Sequence, residues 1–180
     1  MFSGLSAFPL TPMNERGLDE SAFVRLIGRL VTANVDSIGV LGSTGNYAYL
    51  TMAERARDVR TLADHAQSAG ASGVLLAPMS YQPLSVDEVF GLYEMVTQAL
   101  SVPLCVYDNP RTTQFVFSDE LHGRIAQLPN VASIKIPGVP ENAVEARARV
   151  ERLRAQIPAH VTVGVSGDAA AANGLNAGCD

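Results

Sequence analysis

Apolar residues along this chain fall into two alternating rhythms. Short strand-like apolar runs occur at Gly4–Pro9, Ser37–Leu41, Gly73–Pro78, Pro103–Tyr107, Val131–Ile136 and Val161–Ser166. Between them, apolar positions recur at helical spacing near residues 19–33, 52–69, 86–100, 118–128, 141–156 and 168–177. The first rhythm predicts strands and the second amphipathic helices. Capping boxes at Thr51-x-x-Glu54 and Ser85-x-x-Glu88 mark two helix starts, because each side chain satisfies a backbone amide that the helix leaves unpaired. Gly70 predicts the end of the second helix. Strands alternating with helices imply βαβ units and a parallel sheet. No linker, low-complexity segment or close repeat divides residues 1–180, so one domain is expected.

The faces of the strands choose between two parallel architectures. Strands of an open doubly wound sheet are buried on both sides and read as continuous Val, Ile and Leu. Here one face is bulky and the other small or polar. Ile38 and Val40 alternate with Ser37 and Gly39, Val161, Val163 and Val165 with Thr162, Gly164 and Ser166, and Ile134 and Ile136 with Ser133 and Lys135. Helices would cover the bulky face while the small face lines a confined interior. That suits a barrel.

Composition narrows the classes of function. The chain is 47% hydrophobic and 17% charged, with a net charge of −5. An acidic balance without a basic cluster argues against nucleic acid or an anionic membrane surface as partner. No apolar run is long enough to span a bilayer, and the first residues lack the pattern of a signal peptide. Cys105 and Cys179 lack metal-ligand spacing, and Cys105 reads as a small core residue. A cytoplasmic protein is expected.

Lys135 stands apart from this background. It is the only lysine, the other twelve of the thirteen basic residues being arginines, and it interrupts an apolar strand. A buried ammonium is costly to desolvate, so its amine becomes available as a nucleophile towards carbonyls. The alternative is a lysine that snorkels to water or pairs with a carboxylate. Other candidate chemistry gathers at the carboxyl ends of the strands, where barrel enzymes carry their sites. Gly42-Ser43-Thr44-Gly45-Asn46 is rich in hydroxyls and amide donors, or is a plain strand-to-helix turn. Tyr107 falls on the same face as Cys105 and is either a core residue or a proton shuttle for Schiff-base chemistry on the next strand. Asp108-Asn109-Pro110 reads as turn chemistry.

Taken together, Phe8-Pro9-Leu10-Thr11-Pro12, Gly42-Ser43-Thr44-Gly45 with Leu50-Thr51-x-x-Glu54-Arg55, Tyr107-x-Asn109-Pro110, Ile134-Lys135 and Ser166-Gly167-Asp168 resemble the dihydrodipicolinate synthase/N-acetylneuraminate lyase family. These are class I, pyruvate-type aldolases on a TIM (β/α)8 barrel. The resemblance implies that Lys135 forms an imine with a 2-oxo acid such as pyruvate and that Tyr107 relays the proton. It implies that Ser43 and Thr44 bind the 2-oxo acid carboxylate and complete the relay. Tyr81 resembles a loop tyrosine that reaches into a neighbouring subunit's site, so a homo-oligomer, dimer or tetramer, is implied. An aldehyde is the implied second substrate, and neither cofactor nor metal is called for. The family's synthases carry an arginine five residues after the strand-four tyrosine. Here Thr112 holds that position and Arg111 precedes it, which leaves the aldehyde open. Asn46 stands where many members have glutamate, and Ile136 follows the lysine where an acid is common.

Length sets the remaining expectation. A (β/α)8 barrel needs roughly 250 residues, and at least ~200, whereas this chain has 180. About six β/α units are therefore expected, with the barrel incomplete and the chain a fragment of a longer product. The isolated chain would then turn over weakly or not at all. The alternative to a Schiff-base lyase or aldolase is a catalytically inactive fragment or assembly partner that keeps the motifs by descent.

Overall fold

The computed structural model describes residues 6–7, 9–14, 17–35, 37–39, 52–68, 70–80 and 83–180. In chain order the elements are β1 (Ser6–Ala7), β2 (Met13–Asn14), β3 (Gly17–Leu18), α1 (Glu20–Thr32), β4 (Ser37–Gly39), α2 (Met52–Ser68), β5 (Val74–Leu76) and α3 (Val86–Ala99). They continue with β6 (Leu104–Tyr107), α4 (Pro110–Thr113), α5 (Asp119–Ala126), β7 (Val131–Ile136), α6 (Ala143–Arg154), β8 (Thr162–Val165) and α7 (Asp168–Asn176).

Local chemistry accounts for most helix limits. Asp19 accepts the Ala22 amide at 2.9 Å to open α1, and the i, i+4 pair Phe23 and Ile27 is buried beneath it. The Ser85–Glu88 capping box opens α3, with Ser85 N–H donating to Glu88 at 2.8 Å. Ser118 and Asn142 cap α5 and α6 by accepting amides of the first turn. At the end of α2, Gly70 adopts φ +88°. Its amide donates to Gln67 O while that of Ala71 donates to Ala66 O, a left-handed closure that favours glycine. The box expected at Thr51 lies outside the described residues.

Six strands form one sheet in the order β1-β4-β5-β6-β7-β8, every neighbouring pair parallel. Spatial order follows chain order without reversal. A doubly wound sheet would reverse at a switch point, so the arrangement is that of a (β/α) barrel, with six of its eight units. Among the described residues, no helix is long and apolar enough to cross a membrane.

The bulky face of the sheet carries the core. Ile38, Val74, Leu76, Leu104, Val106, Ile134, Ile136 and Val163 are each at most 3% exposed and join one cluster with Phe23, Leu62, Tyr93, Leu121, Ile125 and Leu153 from the helices. Leu75, Ala77 and Cys105 are also buried but stand outside that cluster, on the opposite face. Two features depart from the expected pattern. β2 pairs antiparallel with β3 through only two residues on each side, and the four-residue α4 follows β6. Both are shorter than any period can reveal.

Candidate active site

A shift of register between β6 and β7 builds the centre of the site. Leu104 pairs with Val131, yet Cys105 pairs with Ser133, so Ala132 is passed over. A bulge of this kind re-aims every later side chain. From there Val106 faces Ile134 on the helix side, and Tyr107 faces Lys135 on the other. The Lys135 Nζ lies over the Tyr107 ring, 4.9 Å from its centroid, within the range of a cation–π contact. Both residues are half-buried.

Backbone hydrogen bonds hold the two strand ends level. Asp108 N–H donates to Lys135 O at 2.9 Å, and Ser166 N–H donates to Ile136 O at 2.9 Å. On the other flank, Gly164 of β8 pairs with Lys135, and a Cβ built there would have no neighbour within 4 Å. The space over Gly164 is therefore open. Below it the face closes: Ser133 is 4% exposed and donates to Thr162 O at 3.4 Å, and Thr162 donates to Ala132 O at 3.3 Å. Burial pushes the Cys105 thiol from its ordinary value of 9.0 up to about 11. That thiol is a neutral floor residue, as its strand position suggested.

The turn after β6 contains more than turn chemistry. Asn109 Nδ2 donates to the Tyr107 hydroxyl at 2.8 Å. Asp108 is 4% exposed, and its Oδ2 lies 3.3 Å from Nε2 of the fully buried His122 on α5. The imidazole lies flat on Phe117, with ring centroids 4.8 Å apart at 1°. Phe117 meets Phe115 and Tyr93 edge-on, and the Tyr93 hydroxyl donates to Leu76 O at 2.8 Å. A buried aromatic cluster thus stands behind the end of β6. From the sequence Asp108 and Asn109 read only as turn residues, Asn109 also within the family motif, and His122 is not singled out. The available signal was alternation, which turns Asp108 towards the helices once Tyr107 faces inward, and the position of His122 within the apolar stripe of Leu121 and Ile125.

The structure brings Lys135 and Tyr107 together. Ser43, Thr44 and Tyr81 lie outside the described residues. Arg111 is exposed on α4 and Thr112 half-buried. Among the described residues, no group of three or more His, Cys, Asp or Glu could hold a metal ion.

Comparison with known proteins fits this geometry. The family model of the dihydrodipicolinate synthetase family matches residues 1–61 and 56–180. The structure of dihydrodipicolinate synthase from Agrobacterium tumefaciens str. C58 superposes with a TM-score of 0.69 at 41% identity, covering 99% of this chain and 68% of that one. A prophage protein of the dihydrodipicolinic acid synthase family from E. coli K12, solved in complex with pyruvate, gives a TM-score of 0.64 at 25% identity, covering 100% of this chain and 68% of that one. The 4-hydroxy-tetrahydrodipicolinate synthase of Phenylobacterium zucineum (strain HLK1) is 28% identical over 160 residues, 75% of this chain and 54% of that protein. The chain thus spans little more than half the length of the curated relatives it matches. Since the family model accounts for the whole of it, the chain belongs to the dihydrodipicolinate synthetase family.

Proposed function

We propose that this chain carries the imine-forming half of a lyase or aldolase site that acts on a 2-oxo acid such as pyruvate, with Lys135 as nucleophile. The observation that carries the reading is the register pair of Tyr107 and Lys135, which sets the chain's single lysine against a phenol at the end of two adjacent strands. The complex with pyruvate formed by the E. coli family member supports the substrate class.

The chemistry closes on these two groups. The neutral amine of Lys135 adds to the keto carbon to give a carbinolamine. Tyr107 gives its proton to the carbinolamine hydroxyl, which leaves as water while the nitrogen lone pair forms the C=N bond. The phenolate then removes a proton from the adjacent carbon of the iminium, which yields the enamine and restores the phenol. The enamine carbon attacks an aldehyde, or in the reverse sense is released from one. In this reading Ser43 and Thr44 hold the carboxylate and extend the proton relay. Tyr81 reaches the site of a neighbouring copy in a homo-oligomer. The open space over Gly164, the register partner of Lys135, leaves the 2-oxo acid room on this flank.

Borohydride reduction in the presence of pyruvate tests the reading, because it converts the imine to a stable secondary amine. One adduct on Lys135, found by mass spectrometry of peptides, is the expected result. An unmodified Lys135 after reduction would reject it. Replacing Tyr107 by Phe should retain the ring and slow exchange of the pyruvate methyl protons with D2O by ~10²–10⁴-fold, the range for a general acid–base group.

A further inference from the structure

Asn109 occupies the N-cap of α4, where an asparagine side chain normally accepts an amide of the first turn. It makes no such bond. Its Nδ2 instead donates to the Tyr107 hydroxyl at 2.8 Å. The residue is anchored for that purpose by its own carbonyl, which accepts from Thr112 N–H at 3.0 Å, Thr113 N–H at 2.9 Å and the Thr113 hydroxyl at 3.0 Å. Thr113 is in turn buried, at 4% exposure, and its hydroxyl also bonds the Phe115 backbone at 3.3 Å. The side chain is thus withdrawn from the helix and fixed onto the phenol.

We propose that Asn109 is a positioning residue that directs the Tyr107 proton. The inference rests on the reading of Lys135 and Tyr107 given above. A phenol O–H prefers the plane of its ring, with two orientations, and can also accept a hydrogen bond in that plane. An amide N–H can only donate. With Asn109 donating to the oxygen from its own side, the hydroxyl proton turns away from Asn109. After the proton has gone to the carbinolamine hydroxyl, the same N–H remains bonded to the phenolate and stabilises it until the proton from the substrate carbon returns. Asn109 therefore acts at both proton transfers without touching the substrate.

Two isosteric variants separate this role from a structural one. In Asn109→Leu the donor is lost. In Asn109→Asp the group accepts only and draws the Tyr107 proton towards itself, while remaining as good an N-cap as asparagine. Each variant would be incubated with pyruvate in D2O, with methyl exchange followed by NMR and the Lys135 adduct measured after long incubation and borohydride reduction. The expected order of exchange rates is unsubstituted chain, then Asn109→Leu, slower by ~10-fold or more, then Asn109→Asp, slower by ~10²–10⁴-fold. The final extent of adduct should stay within about twofold, since a catalyst of proton transfer changes rate and not equilibrium. Asn109→Asp exchanging as fast as the unsubstituted chain would overturn the proposal in favour of a helix cap. So would equal rates in all three proteins. If the unsubstituted chain gives no adduct on Lys135, the functional reading fails and this inference with it.

Discussion

The two faces of the parallel sheet are made by alternate residues of the same strands, yet they obey different rules. On the helix side Ile38, Val74, Leu76, Leu104, Val106, Ile134, Ile136 and Val163 are branched apolar residues, fully or almost fully buried in one core. On the other side Leu75 and Cys105 are buried, Ser133 and Thr162 hydrogen-bond to neighbouring backbone, and Tyr107 and Lys135 are only half-buried. The first face is saturated with one kind of interaction and serves stability. The second is graded from an apolar floor to a polar rim, which leaves room for chemistry. Ile134 and Lys135 are consecutive residues and belong to opposite regimes.

The strongest way to sharpen that contrast is Lys135→Arg. A guanidinium stays protonated at any working pH, so borohydride trapping on residue 135 should vanish altogether. The urea midpoint should move little, because the residue sits outside the core. An equally large loss of stability would show that the two faces are not separable. One position earlier the consequences reverse. Ile134→Ala removes a fully buried side chain and should cost ~2–5 kcal/mol by urea unfolding. Adduct formation at Lys135 should persist wherever the variant remains folded.

Cys105 tests whether the floor of the inner face is dry. Its thiol is raised to about 11 by burial, so alkylation by iodoacetamide at pH 8 should be slower than for a free thiol by ~10²-fold. The unfolded chain loses this proton first. The thiol's contribution to stability is therefore complete below its ordinary value of 9.0 and lost as pH rises towards about 11. Alkylation at the rate of an exposed thiol would mean that water reaches the floor.

The smallest effects come from two glycines. A Cβ at Gly174 of α7 would meet Val165 Cγ1 at 2.5 Å, so Gly174→Ala should cost ~1–3 kcal/mol through overpacking. A Cβ at Gly164 meets nothing, and Gly164→Ala should be stabilising by ~0.4–1 kcal/mol through a less flexible unfolded chain. Thermal melts of the two variants should shift in opposite directions. Shifts of the same sign would contradict the packing described for the two sides of β8.

Much of this was legible in the residues alone. Short apolar runs marked the strands of the sheet, helical spacing and the Ser85–Glu88 box marked the helices, and their strict alternation implied parallel order. These are local properties, because a strand or helix face is defined by residues within a few positions of one another. The single lysine and the motif set likewise stand in the sequence without reference to a partner. Tertiary structure decided what depends on distant residues. The passing-over of Ala132, which sets Lys135 beside Tyr107, arises only when β7 pairs with β6. Asp108 became a buried carboxylate because α5 brings His122 to it. Asn109 left its cap because the Tyr107 oxygen lies within reach. Periodicity tells which side a residue faces; pairing and packing determine what it meets there.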